Sequence, residues 1–304
     1  MQVDKVVPCG YCKGVIMALR KAQETLAAHP ADKVYILGMV VHNSHVVEAL
    51  RRLGAVTLDD KIHTRRQWLD SIDDGIVIFT AHGTDPALMR MASEKGLTVV
   101  DATCPDVEKN MRLIASRLAD GYEVIYLGVK DHPESLAVSA LGPGIHLVTG
   151  PSDIDNLDIG SDHIMITNQT TMSLIEISGW IASLKQRFPM AEVCQEICPA
   201  TRLRQQAVMA LKGYDALIVV GDPASNNTAK LASCGQAAGI PLVVTVENAA
   251  QLPAVPGLDA CGKVAVTAGA STPGCLTDAV IAYLRTGDPH WFTIGYDHML
   301  DGTL

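Results

Sequence analysis

Short apolar runs alternate along the chain with amphipathic stretches of helical length. Eight runs are rich in Val, Ile and Leu and end at Gly or polar residues: KVYILGMVV, GIVIFT, LTVVD, YEVIYLG, HIMIT, DALIVVG, IPLVVTV and KVAVTAG. Such runs are typical of strands that are buried on both faces of a sheet. Helical patterns lie between most of them, for example GVIMALRKAQETLAAH and SLIEISGWIASLKQRF. The alternation predicts βαβ units with parallel sheets, and therefore an α/β fold.

The same pattern indicates more than one compact unit. A chain of 304 residues exceeds the size of one typical domain, and similar units recur at intervals of roughly 100 residues. The segment GPGIHLVTGPSDIDNLDIGSD is loop-rich and only weakly helical, so it is a candidate boundary. The final stretch, RTGDPHWFTIGYDHMLDGTL, is predicted to be irregular.

The composition and net charge of the chain indicate which kinds of molecule it can bind. Hydrophobic residues make up 48% of the sequence and aromatic residues only 4%, so aliphatic side chains must supply a large core. The net charge of −9 argues against nucleic acid, which requires a basic surface. The N-terminus lacks the apolar region of a signal peptide, and no apolar stretch approaches the ~20 residues of a membrane helix. We therefore expect a soluble, cytoplasmic protein that binds neither nucleic acid nor membrane.

The segments after six of the predicted strands carry reactive or hydrogen-bonding side chains. In chain order they read AHGTD, ATCPD, VKDHPES, NQTTMS, DPASNNT and ASTPG. In open parallel sheets, ligands bind at the carboxyl ends of the strands. We therefore predict that these loops form one shared site. They contain few Lys or Arg residues, so a phosphate group bound there would be held by neutral donors and imidazoles.

The eight cysteines are too sparse for a disulfide scaffold in a chain of this length. Cys234, Cys261 and Cys275 lie in helical or strand-edge contexts and are most simply core thiols. The pair Cys9 and Cys12 fits a redox CxxC motif or half of a zinc site, but no second CxxC completes a four-cysteine zinc site. Three separated cysteines at strand ends would also fit one face of an iron–sulfur cluster, and the spacing leaves these alternatives open.

Histidines and one carboxylate are further candidates for chemistry. His42 and His45, in HNSH, fit half of a metal site on a helix or merely capping and exposed side chains. His82 in AHG and His132 in HPE lie at predicted strand ends, which favours a role in the site. Glu134 follows two residues after His132. A carboxyl group in a partly desolvated pocket can be tuned to donate protons.

Hydroxyl and amide side chains cluster at predicted helix starts. Such side chains commonly cap helices, and capping is compatible with phosphate binding because helix N-termini attract anions. The candidates are Thr170, Thr171, Ser225, Asn226, Asn227 and Ser271. No GxGxxG motif follows a strand, and GLDACGKV only nearly matches a phosphate-binding P-loop, because Val264 occupies the hydroxyl position.

Eight short motifs resemble, in this order, those of the 4-hydroxy-3-methylbut-2-enyl diphosphate reductases, the IspH or LytB family. They are GYCKGV, VHN, AHG, DATCP, HPE, QTT, SNN and TAGAST, and they run from residue 10 to about residue 272. The resemblance implies three α/β units, related by pseudo-threefold symmetry, with small mostly parallel sheets around a central cavity. The units would span residues 14–104, residues 105–198, and residues 199–285 together with 1–13, before a C-terminal tail at 286–304.

The resemblance also implies the residues of the site. Cys12, Cys104 and Cys198 would hold a 4Fe–4S cluster whose open fourth iron takes the hydroxyl oxygen of the substrate. Glu134 would supply protons, Thr170 would relay or position them, and His132 would lie close by. The side chains expected to contact the substrate are His42, His82, His132, Thr170, Thr171, Ser225, Asn226, Asn227 and Ser271. The chain departs from the family at Cys9, where many relatives carry Arg, and at Asn226, where Ser is common.

The implied reaction is the reductive removal of an allylic hydroxyl group, the last step of the non-mevalonate isoprenoid pathway. Two electrons and protons enter, water leaves, and the products are isopentenyl diphosphate and dimethylallyl diphosphate. A ferredoxin or flavodoxin would supply the electrons singly. Three alternatives stay open: a relative that acts on another phosphorylated allylic alcohol, a non-catalytic cluster-based sensor, and a zinc hydrolase built on His42, His45, His82 and Glu134.

Overall fold

The structure, a computed structural model, describes residues 1–60 and 62–303. The strands in this part of the chain are β1 (Gln2–Lys5), β2 (Val34–Leu37), β3 (Ala55–Leu58), β4 (Ile76–Phe79), β5 (Thr98–Asp101), β6 (Glu123–Leu127), β7 (Ile145–Val148), β8 (Ile164–Asn168), β9 (Glu192–Val193), β10 (Ala216–Val220), β11 (Leu242–Val246) and β12 (Lys263–Ala268). The α-helices are α1 (Lys13–Ala28), α2 (Ser44–Arg52), α3 (Arg65–Asp70), α4 (Pro86–Glu94), α5 (Pro105–Ala119), α6 (Pro133–Ser139), α7 (Pro151–Asp155), α8 (Leu174–Arg187), α9 (Pro199–Met209), α10 (Asn226–Ala237) and α11 (Gly274–Thr286). Short 3-10 helices span Ala249–Ala254, Leu258–Ala260, Pro289–Phe292 and Tyr296–Leu300.

The strands form three parallel four-stranded sheets, with the orders β1-β12-β10-β11, β3-β2-β4-β5 and β7-β6-β8-β9. The chain divides into two compact units. The first unit, Met1–Pro30, Met39–Ala55 and the chain from Pro199 onward, contains the first sheet. The second unit, Ala31–Gly38 and Val56–Cys198, contains the other two sheets apart from Ala55, the first residue of β3. The predicted α/β class is confirmed; the predicted division into three units around a cavity stays a prediction.

All eight strands predicted from apolar runs are present in the structure. The four additional strands, β1, β3, β7 and β9, lie at sheet edges. An edge strand has one unpaired side and can be short, so it does not need a long apolar run, and β9 has only two residues. The segment predicted to be loop-rich and weakly helical contains two short elements, β7 and α7, separated and flanked by loop residues.

Strand β6 illustrates how the apolar runs build the core. Successive side chains of a strand point to opposite faces, and both faces of β6 are buried. Val124 and Tyr126 pack with Ile114 and Val138 of the neighbouring helices α5 and α6. The intervening Ile125 and Leu127 belong to a second cluster, which includes residues of α8. The Tyr126 ring, fully buried within this layer, brings a hydroxyl group into an otherwise apolar region.

The C-terminal tail is ordered by contacts within the first unit. Its 3-10 helix Tyr296–Leu300 packs against α2, where the Arg52 guanidinium lies 4.1 Å from the centre of the Tyr296 ring. Thr303 is buried, and its carbonyl oxygen accepts a hydrogen bond from Arg20 Nε at 2.9 Å. Across residues 1–60 and 62–303, no helix has the length and apolar character that a membrane span requires.

Candidate functional site

In each sheet, the chain beyond the carboxyl end of one edge strand has a cysteine directly before a helix. Cys12 follows β1, Cys104 follows β5 and Cys198 follows β9. A helix begins at the next residue in all three cases, namely α1, α5 and α9. The first residue of α5 and of α9 is proline, which is favoured there because its fixed φ is helical. The same local order of strand, cysteine and helix therefore recurs three times along the chain.

The backbone of each of these cysteines is tied to the loop that follows the neighbouring strand. The cysteine N–H group donates in each case to a carbonyl oxygen of that loop, which follows β12, β4 or β8. The three bonds are Cys12 to Ala270 at 3.1 Å, Cys104 to Ala81 at 3.0 Å and Cys198 to Thr170 at 3.1 Å. These loops are three of those that the sequence predicted to carry site residues, since they contain Ser271, His82 and Thr170.

The chemistry of these three thiols suits an iron–sulfur cluster. All three residues are half-buried, and within the described chain the thiols of Cys12 and Cys104 do not cap their own helices. Cysteine binds iron as a thiolate, and a helix N-terminus favours a bound group of negative charge. At Cys9, burial raises the pKa of the thiol, although Lys5 and Arg204 oppose the shift.

The other cysteines have different surroundings. All eight lie within the described residues, and none is part of a disulfide bond. Cys234 is buried in α10, as predicted for a core thiol, whereas Cys261 and Cys275 are half-buried. Burial and a hydrogen bond to Glu192 raise the pKa of Cys194 to about 11, so this thiol stays protonated.

Glu134 lies in a buried cage of hydrogen-bond donors in the second unit. Its carboxyl oxygens accept from the Thr170 N–H at 2.9 Å, the Thr170 hydroxyl at 2.8 Å and the Tyr126 hydroxyl at 3.3 Å. Only 1% of its surface is exposed. Desolvation raises the pKa of Glu134 to about 7, against the opposing effect of these hydrogen bonds. The carboxyl group can therefore hold and release a proton near neutral pH.

The HPE motif has a structural explanation. His132 is the N-cap of α6, Pro133 is its first residue, and the Glu134 N–H donates to His132 Nδ1 at 3.1 Å. Because Nδ1 accepts this bond, a neutral His132 ring carries its proton on Nε2. The His82 ring lies edge-on to the His132 ring, with 5.5 Å between the ring centres. The second unit thus brings His82, His132, Glu134 and Thr170 together.

Gln169 positions the loop that contains Thr170 and Thr171. It is fully buried, and its side-chain oxygen accepts from the Val129 N–H at 2.9 Å and the Ser135 hydroxyl at 3.3 Å. Its side-chain nitrogen donates to the Thr171 hydroxyl at 2.8 Å. Gln169 therefore connects the loop after β8 with the loop and helix after β6. This connection fixes the backbone that delivers Thr170 to Glu134.

In the first unit, the SNN motif forms the start of α10. Ser225 is the N-cap, but its side chain does not cap the helix within the described residues, and Asn226 and Asn227 are the first helical residues. Asn227 Oδ1 accepts from the Thr201 hydroxyl at 3.0 Å, which leaves the amide nitrogen as the donor of this side chain. The arrangement offers backbone and side-chain donors at a helix N-terminus, as an anion requires.

Ser271 and His42 also meet in the first unit. The Ser271 hydroxyl donates to the His42 carbonyl oxygen at 2.9 Å. His42 directly precedes Asn43, whose side chain caps α2. His45 lies within α2, with its ring centre 6.4 Å from that of Tyr296 in the tail. Of the two histidines in the HNSH motif, His42 precedes α2 and His45 is part of it.

Sequence reasoning missed Tyr126 and Arg65. The Arg65 guanidinium donates to the Gly83 carbonyl at 2.8 Å and to the hydroxyls of Thr84 at 3.0 Å and Thr80 at 2.8 Å. It therefore holds the loop that carries His82, and burial lowers its pKa to about 10. No local pattern marks Arg65, the first residue of a short exposed helix. The sequence indicates Tyr126 only weakly: its hydroxyl is the one polar side-chain group in the apolar run VIYL, and a buried hydroxyl needs a hydrogen-bond partner.

The fold and the cysteine positions define an α/β protein suited to an iron–sulfur cluster. The sequence matches the family described as LytB protein over residues 3–285, and the chain belongs to this family. The 4-hydroxy-3-methylbut-2-enyl diphosphate reductase of Geobacillus sp. (strain WCH70) is 45% identical over 294 residues, which cover 95% of this chain and 92% of the relative. The reductase of the same name from Bacillus mycoides is 44% identical over 292 residues, with the same coverage.

Solved structures show the same fold. The E-1-hydroxy-2-methyl-but-2-enyl-4-diphosphate reductase from Plasmodium falciparum has a TM-score of 0.87 and 30% identity, covering 97% of this chain and 91% of that one. A second structure, an (E)-4-hydroxy-3-methyl-but-2-enyl diphosphate reductase described as the terminal enzyme of the non-mevalonate pathway, has a TM-score of 0.66 and 28% identity. The aligned region covers 94% of this chain and 99% of the chain in that structure. The family resemblance predicted from the motifs is confirmed.

Proposed function

We propose that the chain reductively removes the allylic hydroxyl group of 4-hydroxy-3-methylbut-2-enyl diphosphate. The C–O bond breaks, two electrons and two protons enter, and water leaves with formation of either isopentenyl diphosphate or its isomer dimethylallyl diphosphate. The proposal depends above all on Glu134, a buried acid with a pKa of about 7 in a chain of the LytB family. A reaction that expels hydroxide needs such a donor, because water is a far better leaving group than hydroxide.

The proposed ligands of a 4Fe–4S cluster are Cys12, Cys104 and Cys198. What supports them is their shared position directly before a helix and the absence of disulfide bonds among the described cysteines. The thiols of Cys12 and Cys104 also do not cap their helices within the described residues. When bound, a cluster with one open iron would supply electrons and act as a Lewis acid toward the leaving hydroxyl group. A ferredoxin or flavodoxin in the cytoplasm is the proposed source of those electrons.

Glu134 and Thr170 act together in this proposal. The protonated carboxyl group of Glu134 donates its proton to the departing oxygen. The carboxylate that remains is stabilised by the Thr170 N–H and hydroxyl, which already donate to its two oxygens. Because hydrogen bonds to an ionised group are stronger than neutral ones, the same contacts become more favourable after the transfer. Thr170 therefore positions the acid and eases the loss of its proton.

The proposed contacts to the diphosphate are neutral donors. The imidazoles of His42, His82 and His132 and the side chains of Thr171, Asn226 and Asn227 would donate to phosphate oxygens. Ser225 would do so from the N-terminus of α10, where the helix dipole also favours an anion. Ser271 would have to rotate its hydroxyl away from the His42 carbonyl in order to donate to phosphate. Binding would thus exchange one internal hydrogen bond for a charge-assisted one.

The test is turnover by anaerobically reconstituted protein with a chemical reductant and the diphosphate substrate. We expect both isoprenoid diphosphates, separated and counted by chromatography, and no product without reductant. An intact cluster that yields no product would instead support the sensor, and turnover limited to other phosphorylated alcohols would support an altered substrate. Activity with zinc and without reductant would support the hydrolase. Each of these results would contradict the proposal.

A further inference from the structure

Tyr126 contacts the proposed proton donor from the apolar core. Its ring lies in β6 among Ile114, Val138 and Met165, and it is fully buried. Its hydroxyl lies 3.3 Å from Glu134 Oε1, and this is its only hydrogen bond to any residue that the structure describes. A core position alone needs no hydroxyl group, since phenylalanine would fill the same volume. The hydroxyl must therefore be explained by its contact with Glu134.

The position of the ring is fixed by close packing. A Cβ atom on Gly128 would lie 3.0 Å from Tyr126 Cε1 and 2.6 Å from the Ser135 hydroxyl oxygen, so only glycine leaves room for this arrangement. Gly128 directly follows β6, and Ser135 belongs to α6 next to Glu134. The backbone thus accommodates the ring and the start of α6 together. A ring held in this way gives its hydroxyl a defined direction.

The hydroxyl can act as a donor but not as a relay. Burial raises the pKa of Tyr126 well above 10, so the phenol keeps its proton at any physiological pH. Relay of a proton would require a second partner, and the described residues offer none to this hydroxyl. Hydrogen bonding to a carboxylate favours its ionised form, as the contact to Glu134 does.

Other ionisable groups near Glu134 have separate roles. His132 begins the same helix and uses Nδ1 to accept from the Glu134 N–H, and the His82 ring packs against it. Helix α5 and strand β7 also pack against α6. Asp106 of α5 is exposed, and the remaining charged groups of these elements form ion pairs: Lys109 with Glu196, Arg112 with Glu108, Arg117 with Glu192 and His146 with Glu123.

We propose that Tyr126 is a positioning residue for Glu134, whose hydroxyl favours the carboxylate left after proton donation and ends the hydrogen-bond chain on the core side. The proposal rests on the role of Glu134 in the proposed function. It has a consequence for the direction of proton supply. The Tyr126 hydroxyl has no hydrogen-bond partner other than Glu134 among the described residues. Glu134 must therefore recover its proton from the side of Thr170 and His132.

The test is Tyr126→Phe in the cluster-loaded enzyme, with Tyr122→Phe as the matched control. Tyr122 directly precedes β6 and packs against the edge of the same core cluster. Its ring contacts His163 and Arg117, and its hydroxyl makes no hydrogen bond to Glu134. We expect the basic limb of the turnover–pH profile to move to higher pH by about one unit, since a stabilising bond to the carboxylate is lost. Maximal turnover should stay within about threefold of wild type. Tyr122→Phe should leave the profile in place.

Two outcomes would overturn the proposal. An unchanged profile would mean that Tyr126 only fills the core, and a loss of about 100-fold or more at every pH, with the cluster retained, would mean that it carries protons. If Tyr126→Phe does not fold, 3-fluorotyrosine at position 126 keeps the ring and strengthens the donor. The basic limb should then move to lower pH, and an unchanged limb would again contradict the proposal.

Infrared titration separates this inference from the proposed function. The carbonyl band of the protonated Glu134 carboxyl group, identified by its absence in Glu134→Gln, reports ionisation without any turnover. We expect its midpoint to rise in Tyr126→Phe and to stay unchanged in Tyr122→Phe. A rise in a protein that does not turn over the diphosphate would uphold the contact and contradict the reaction. Turnover with an unmoved midpoint would contradict the contact alone.

Discussion

Two opposing effects decide the protonation of Glu134. Removal from water disfavours the charged carboxylate, whereas three hydrogen bonds from Thr170 and Tyr126 favour it. Desolvation is the larger effect, and the pKa rises to about 7. Both protonation states are therefore accessible near neutral pH. A group that donates a proton and recovers it in every turnover requires this balance.

Replacement of Glu134 by Gln should separate chemistry from cluster binding. The amide has a similar shape but cannot donate the proton, so we expect turnover to fall by about 100-fold or more. Iron content and the absorption spectrum should not change, because Glu134 is not a proposed ligand. The matched control is Glu48→Gln, on the exposed face of α2. Near-normal turnover of Glu134→Gln would show that another group delivers the proton.

The stability of the protein should depend on pH through the same residue. A folded-state pKa of about 7, above the usual value of 4.5, means that the folded chain binds this proton more tightly than the unfolded chain. The stabilisation is complete below about pH 4.5 and is lost as the pH rises through about 7. Between about pH 5 and pH 8, Glu134→Gln should gain on the order of 2 kcal/mol in unfolding free energy relative to wild type. Urea titrations of both proteins across this pH range measure the difference in unfolding free energy. A difference that does not change with pH would contradict the raised pKa of Glu134.

Among the strands and helices, the sequence predicts those that a local pattern of apolar and polar residues determines. Apolar runs predict the eight strands, and the amphipathic stretches between them predict helices such as α1 and α8. Of the six edge strands, four were missed because strand pairing, not local composition, defines them. The contact between Tyr126 and Glu134 was missed for a related reason. Alternation in β6 predicts that residues 124 and 126 share a face, but not which helix covers that face.

The N-terminus of α5 should be essential for cluster binding. Replacement of Cys104 by Ser removes a soft thiolate ligand and leaves the fold of the helix start intact, because serine is a good N-cap. We expect loss of bound iron and of turnover together, measured by iron analysis and by product formation. Cys261→Ser, a half-buried thiol elsewhere, should retain both. A fully assembled cluster in Cys104→Ser would contradict the assignment of this ligand.

Two helical glycines should respond in opposite directions to replacement by alanine. A Cβ atom on Gly235 of α10 would collide with Leu217 of β10 and crowd Val243 of β11, so Gly235→Ala should destabilise by about 1–3 kcal/mol. Gly179 of α8 is exposed, and a Cβ atom there meets nothing within 4 Å. Gly179→Ala should therefore stabilise by about 0.5–1 kcal/mol. Urea unfolding measures both, and equal effects would contradict the close packing of α10.

In the molecule as a whole, the same arrangement of edge strand, cysteine and helix occurs three times. An edge strand leads to a cysteine, the cysteine N–H binds the loop after the neighbouring strand, and a helix follows. Cys12, Cys104 and Cys198 lie at nearly equal intervals along the chain. Each of the three cysteines proposed as ligands thus follows an edge strand of a different sheet. The residues that support them, such as Gln169 and Arg65, depend on tertiary contacts that no motif records.

We propose that these three thiols bind a cluster that responds to the diphosphate. The most direct measurement is iron and sulfide analysis of the anaerobic protein, combined with Mössbauer spectra before and after addition of 4-hydroxy-3-methylbut-2-enyl diphosphate. We predict about four iron and about four sulfide per chain, with one distinct iron whose signal changes with the diphosphate. Zinc in place of iron, or four equivalent irons that do not respond to the diphosphate, would contradict the account.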